Sequence, residues 1–364
     1  MGGIHMSNIR VFIDGIVYSL QWFGGLVTYW NNVILHLGIS TERKLSLEMT
    51  VANNNYFPSS ELGKYLTLVT EESRQEYDLF HSTYYTLPQN IELKQILTVH
   101  DTIYEDFSEY FIHEANFQKF MKRKKSCINL AAHIVAVSNT TKANLLQHYE
   151  ISPAQITVIH HGISSVFHNA RLLANEKIQK DINKFFIDKP FLLFVGGRRY
   201  YKNFVLLLKA FAISKINQNF ILVVVGSERS FFDEEMEIID KFKLPTQIKL
   251  LGFVKLEELI SIYLSAYGFI FPTMAEGFGL PLLEAMACEI PVVCSDIPVL
   301  REVGGVSPIY FNPHDVNSLV QAIEELVFSS PKERILKGKQ RSLEFQWQKS
   351  VQELINVYSK VLNL

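Results

Sequence analysis

Glu276 and Glu284 stand with seven residues, GFGLPLL, between them. Gly277 and Gly279 let the backbone approach a ligand or take a positive φ, and Pro281 suits the first turn of a helix running PLLEAMAC. The start of that helix has no side-chain cap. Gly279 and Leu280 offer no oxygen where Ser, Thr, Asp or Asn would accept from the first N–H groups, and a bound phosphate would satisfy those donors instead. Carboxylates flanking such an anion site can accept from the hydroxyls of a sugar on one side and a ribose on the other. Taken singly, Glu284 would complement the helix dipole and Glu276 would be a solvated loop acid.

These residues need elements to hold them. GFIFP, at 268–272, reads as a fully covered parallel strand ended by Pro272, so the GFGLP loop lies at a strand's carboxyl end, the edge where open α/β sheets bind ligands. FLLFVGG, FILVVVG, QIKLLG and PVVCSD read as further strands, with helices over NFVLLLKAFAISKI, KLEELISIYLSA and DVNSLVQAIEELV. The first of these strands runs into GGRRYYKNF, where Gly197, Arg198, Arg199 and Lys202 combine glycine with cations. That loop lacks the Gly-Lys-Ser/Thr ending of a Walker loop.

An earlier alternation begins with IRVFIDG, the glycine pair Gly24-Gly25 and a helix LVTYWNNVILHLG, in which Trp30 and Leu37 read as core. It continues through strands SLEMTVAN, DLFHST, QILTVHD, HIVAVS and ITVIHHG. His81, His100, Asp101, Ser138 and His161 fall at or just beyond their ends. Read alone, the glycine pair is a turn and each histidine a hydrogen-bonded loop residue. The segment ARLLANEKIQKDINKFFIDK is more polar than its flanks and predicts a linker. The expected domains are therefore 8–170, joined by a terminal helix at 346–364, and 171–345. The fold class is α/β: two tandem Rossmann-like, doubly wound domains facing across a cleft.

The run from Glu276 to Glu284 resembles the paired-glutamate signature of retaining glycosyltransferases of family 4, and PVVCSDIPVLREVGG after it is similar to the same family. That resemblance implies a two-domain GT-B architecture whose last helix crosses back to the first domain. It assigns Arg198 and Lys202 to the donor diphosphate, with Arg199 as the rival if the loop register differs by one. It assigns Glu276 to hydroxyls of the donor sugar, Glu284 to the nucleotide ribose, and His100, from LTVHD, to the transferred sugar. Gly24, Gly25, Gly197, Gly277, Phe278, Gly279 and Leu280 become donor-site residues. The implied reaction moves a hexose from a nucleotide-diphosphate sugar to a saccharide or lipid-linked acceptor with retention. HSTYY and LTVHDTIYE resemble bacterial mannosyl- and rhamnosyltransferases of polysaccharide assembly, so GDP-mannose is the first candidate donor. A nucleotide-sugar epimerase of the same architecture, or a non-catalytic binding partner that kept the fold, are the alternatives.

Composition sets the remaining expectations. The chain has 364 residues, 48% hydrophobic and 20% charged, with a formal net charge of −2, which gives no bulk attraction to nucleic acid. Cys127, Cys288 and Cys294 lie in apolar segments without metal-like spacing, and no Asp-x-Asp occurs, so neither a cofactor nor a metal is expected. No apolar run reaches about 18 residues, which predicts a cytoplasmic protein without a transmembrane helix. The stretch HEANFQKFMKRKKSCINLAAH interleaves Lys119, Lys122, Arg123, Lys124 and Lys125 with Phe117, Phe120 and Met121. It reads either as the solvated face of an amphipathic helix or as a peripheral contact with the anionic inner face of the cytoplasmic membrane.

Overall fold

The computed structural model describes residues 9–20, 24–40, 45–50, 62–64, 66–69, 77–90 and 92–364. Its strands come where short apolar runs meet turn residues, and they form two parallel sheets. The first contains β1 (Ile9–Ile13), β2 (Leu45–Thr50), β3 (Leu66–Val69), β4 (Leu79–Ser82), β5 (Lys94–Val99), β6 (His133–Ala136) and β7 (Ile156–Val158). Their order is β3-β2-β1-β4-β5-β6-β7. The second contains β8 (Phe191–Val195), β9 (Ile221–Val225), β10 (Ile248–Gly252), β11 (Gly268–Phe271), β12 (Val292–Ser295) and β13 (Ile309–Phe311), in the order β10-β9-β8-β11-β12-β13. Val51–Asn53 of the expected SLEMTVAN strand lie outside the described residues. β3 and β13 are additional to the strands read from sequence.

Each order reverses once, between β1 and β4 and between β8 and β11. Such switch points leave a crevice at the carboxyl edge, because the connecting helices depart to opposite faces on either side. In the second sheet, Phe269 of β11 is in register with Leu193 of β8 on one side and Val292 of β12 on the other. Both faces of these strands are covered, which is why β9, β11 and β12 read as unbroken apolar runs.

The chain divides into two compact units, Met1–Gly162 with Phe345–Leu364, and Ile163–Glu344. The expected linker therefore lies within the second unit. Phe167 is buried edge-on to Tyr263, and the helix Asn175–Lys184 turns Ile182 and Asp181 inward, where Asp181 Oδ2 accepts from Ser261 Oγ at 2.7 Å. Its polarity belongs to the outer face of an amphipathic helix rather than to a solvated connection.

The terminal helix Trp347–Leu362 packs in the first unit against the helix Gly25–Ser40, sharing a core of Trp30, Ile34, Leu37, Val351, Leu354 and Tyr358. Tyr358 Oη lies 2.8 Å from His81 Nδ1, and Ser350 Oγ donates to the carbonyl of His160 at 2.7 Å. Gly162 has no room for a side chain, since a Cβ there would stand 2.2 Å from the Trp347 backbone nitrogen.

Candidate active site

In the second unit, the loops that leave β8 and β11 meet at the switch point. Val195 runs into Gly196, at φ 140°, and then into a short 3₁₀ turn at Tyr200–Lys202. Asn203 holds φ 58°, and its side-chain amide donates to the carbonyls of Pro272 and Pro313 at 3.1 and 2.8 Å. The Met274 N–H and the Thr273 hydroxyl both donate to the Tyr201 carbonyl, at 2.7 and 3.2 Å. These bonds seat the Tyr200–Lys202 turn on the loop after β11. Lys202 Nζ reaches Glu276 Oε1 at 2.6 Å as a result.

The helix Leu280–Ala287 begins as expected. Gly279 occupies its cap position in the left-handed region, φ 99°, with no side chain accepting from the first turn and Pro281 within it. A Cβ on Gly279 would lie 2.9 Å from Leu300, so glycine is required there by space as well as by dihedral. Gly277 and Phe278 are buried and Leu280 is half-buried beside it. Glu284, one turn on, is half-buried and accepts from the Tyr263 hydroxyl at 3.0 Å. Burial pushes its carboxyl up to about 7, with the Tyr263 bond pulling the other way.

Arg198 departs from expectation. Its Nε bonds both oxygens of Glu235, at 3.0 and 3.2 Å, Nη1 donates to the Glu228 carbonyl at 3.4 Å, and Nη2 to the Ser230 carbonyl at 2.5 Å. The guanidinium lies over Phe204, Phe231 and Phe232 and is fully buried. Every nitrogen has a partner, so Arg198 braces the loop from β8 against the loop from β9. Arg199 is the exposed one, its guanidinium 5.1 Å over Phe232. Gly197 lies between these charges, half-buried, 3.5 Å from Glu228 Oε1 when a Cβ is built on it.

In the first unit, Gly24 is exposed with φ 131°, and its carbonyl accepts from Thr28 as the helix Gly25–Ser40 starts. A Cβ on Gly25 would meet open space. That helix sends Tyr29 edge-on against His100, ring centroids 4.8 Å apart, at the carboxyl end of β5. His100 is buried, and its Nε2 has no hydrogen-bond partner among the described residues. Burial, and then the Lys124 charge, hold its imidazole down at about 3, so it is neutral. Such a nitrogen has hydrogen-bonding capacity left over for a further group.

The other strand-end residues are structural. His81 bridges Tyr358 and Thr98 Oγ1, Ser138 caps the helix Asn139–His148, and His161 is buried in a stack on Trp347. Asp101 Oδ1 accepts from the Ile103 N–H at 3.1 Å. Asp14 accepts from Ile16 and from both Thr83 and Thr86, tying the end of β1 to the end of β4.

The basic helix Phe117–Leu130 turns its aromatic residues inward. Phe117 is buried and Phe120 sits among Tyr84, Tyr85 and Tyr104, while Lys119, Lys122, Arg123 and Lys125 are exposed. Lys124 is buried, donating to Glu105 Oε2 at 2.8 Å and to the Asp101 carbonyl at 3.0 Å, with the Tyr85 ring 5.1 Å away. An interfacial helix needs exposed aromatics beside its charges, and this one lacks them, so the membrane reading loses its support. Lys124 instead holds the backbone next to His100.

Among the described residues, no group of three or more His, Cys, Asp or Glu side chains is arranged to hold a metal, and no helix is long and apolar enough to cross a membrane. All three cysteines are buried free thiols. Sequence reasoning missed Tyr29, Lys124, Glu235 and Tyr263. Each acts through a partner distant in the chain, which no local pattern announces.

Residues 175–342 match the family described as Glycosyl transferases group 1, and residues 48–166 match Glycosyltransferase Family 4. The chain is 28% identical over 245 residues to the O-antigen chain mannosyltransferase RfbU of Salmonella typhimurium, covering 67% of this chain and 64% of that relative. It is 26% identical over 291 residues to the serotype-specific mannosyltransferase WbdA of Escherichia coli, covering 78% of this chain and 36% of that relative. It thus spans less than two thirds of either relative's length. The fold of Anabaena HepE, solved in complex with UDP and glucose, superposes with a TM-score of 0.75 over 97% of this chain and all of that one, at 16% identity. The chain thus carries a glycosyltransferase family match on each of its two parallel-sheet units, Glycosyltransferase Family 4 on the first and Glycosyl transferases group 1 on the second, in a fold shared with solved two-domain glycosyltransferases.

Proposed function

We propose that this protein transfers a hexose from a nucleotide-diphosphate sugar to a saccharide or lipid-linked acceptor, retaining the anomeric configuration and using no metal. The observation that carries this reading is the meeting of Lys202 with Glu276 at the β8/β11 switch point, beside a helix start that no side chain caps. The donor's diphosphate takes the Leu280 N–H at the helix start and the Lys202 ammonium, the Leu282 and Leu283 N–H groups being already bonded to the Gly279 carbonyl. As the bond to the anomeric carbon breaks, charge grows on the departing phosphate oxygen, and fixed positive potential there lowers the barrier without reorganising. Glu284 accepts from the ribose and Glu276 from the sugar, while His100 serves the transferred hexose as a neutral imidazole. On the family resemblance, the acceptor attacks on the face the diphosphate leaves, and the leaving oxygen takes the acceptor's proton.

Mannose is the first candidate sugar because the relatives RfbU and WbdA are named mannosyltransferases, and GDP is its expected carrier. Incubation with GDP-mannose and a panel of UDP-, ADP- and dTDP-hexoses, with simple mannosides as acceptors, tests the proposal. Free nucleoside diphosphate with an elongated acceptor supports it. An epimerised donor without diphosphate release identifies an epimerase, and calorimetric binding without turnover identifies a non-catalytic binder.

A further inference from the structure

Lys202 Nζ and Glu276 Oε1 lie 2.6 Å apart, their side chains only 21% and 12% exposed. Each group in that pair is also the group a nucleotide sugar requires, since a diphosphate seeks the ammonium and sugar hydroxyls seek the carboxylate. The backbones cannot separate to resolve this. The Thr273 hydroxyl and the Met274 N–H both donate to the Tyr201 carbonyl, and the Asn203 amide fastens the end of the turn to the Pro272 carbonyl. Only the side chains can exchange partners.

The exchange has different consequences for donor and product. An intact donor replaces the ion pair with two contacts, phosphate to Lys202 and hydroxyls to Glu276. A nucleoside diphosphate alone gains the first contact and leaves the Glu276 carboxylate sheltered beside a second anion, where like charges repel. Resting on the transferase reading, we propose that Glu276 is an internal competitor for Lys202 that distinguishes the intact donor from spent nucleotide. Sugar hydroxyls draw Glu276 off Lys202 when the donor binds. Once the sugar has been transferred, Glu276 returns to the ammonium and expels the nucleoside diphosphate, a step that limits turnover in many transferring enzymes.

Titration calorimetry with GDP, UDP, ADP and dTDP, and with GDP-mannose, on wild type, Glu276→Gln, Lys202→Met and the double variant tests this. The diphosphate that wild type binds should bind Glu276→Gln at least about threefold more tightly, the scale of one sheltered ion pair released. The preference of wild type for the sugar-bearing nucleotide over the bare diphosphate should shrink in the same variant. In the Lys202→Met background, Glu276→Gln should raise diphosphate affinity by clearly less, because only the like-charge repulsion is left to relieve. Glu276→Ala is the second carboxylate-free variant if the amide does not fold. Equal or weaker diphosphate binding on loss of the carboxylate, or an equal gain without Lys202, overturns the competitor role alone. Wild type binding none of the four diphosphates overturns the transferase reading and this proposal with it.

Discussion

Replacing Arg198 by alanine should destabilise the second unit rather than simply weaken a ligand. Its guanidinium is the cation that faces Glu235, and both side chains are fully buried. Truncation leaves the Glu235 carboxylate with the Phe232 N–H, which it accepts at 2.9 Å, and strips the Glu228 and Ser230 carbonyls of their donor. Removing one member of a buried pair costs about 3–5 kcal/mol, against a typical total of about 5–15 kcal/mol. With a urea dependence of about 2–3 kcal/mol per molar, the midpoint should fall by about 1–2.5 M. Far-UV circular dichroism follows the loss. Tryptophan emission serves as a reference, because no tryptophan occurs in the sequence between Ile163 and Glu344, the bounds of the second unit. The pair Arg198→Met with Glu235→Leu should recover most of the loss, since an apolar replacement leaves no orphaned charge. Arg199→Ala, at an exposed position, should move the midpoint by less than about 0.5 kcal/mol equivalent. An Arg198→Ala protein with an unchanged midpoint and collapsed affinity for nucleoside diphosphate would refute the bracing role and return this guanidinium to the ligand.

Glu284, held near 7 when empty, should lose its proton when ribose hydroxyls donate to it, so nucleotide binding at pH 7 should release up to about half a proton. Calorimetry in buffers of different ionisation enthalpy measures this, and Glu284→Gln should abolish it; release unchanged in that variant would assign it elsewhere. His81 and His100 are both held at about 3 by burial, against an ordinary value of 6.5. The unfolded chain takes up protons first as pH falls, so stability is complete above about 6.5 and declines below it. Each residue should remove about 2 kcal/mol between pH 7 and 5, and a melting temperature that stays flat over that range would contradict the buried neutral state. Finally, reversing Lys122, Arg123 and Lys125 to glutamate should leave stability within about 1 kcal/mol, whereas Lys124→Met should cost about 3–5 kcal/mol by stranding Glu105. Equal melting temperatures for the two variants would place Lys124 on the surface.

Local patterns in the chain were enough for some conclusions. The apolar runs of β8, β9, β11 and β12 exclude any strand with a wet face, and the glycine and proline around 279–281 announce a helix that starts without a cap. Both are properties of neighbours in sequence: side-chain burial along a strand, and the backbone dihedral and missing oxygen at one helix end. The spacing of Glu276 and Glu284 belongs to the same class, since one loop and one helical turn set their separation.

Tertiary structure decided which of those groups face each other. β8 lies beside β11 rather than beside β10, and that adjacency brings Lys202 to Glu276 across 74 positions of chain. Arg198 and Arg199 are indistinguishable by type and nearly so by position, yet one is buried against Glu235 and the other exposed. The difference depends on where Glu235, 37 residues further on, enters the core. Lys124 sits in a run of four basic residues with nothing local to single it out, and only the tyrosine and glutamate beneath that helix make its position a buried one. The polar stretch after Phe167 likewise reads as a linker until Tyr263 and Ser261 give it a surface to cover. Periodicity and capping act between residues a turn apart and are therefore written in the sequence. Burial of Lys124 and of Arg198 depends on partners from other elements, Glu105 and Glu235, which no short stretch around either residue contains.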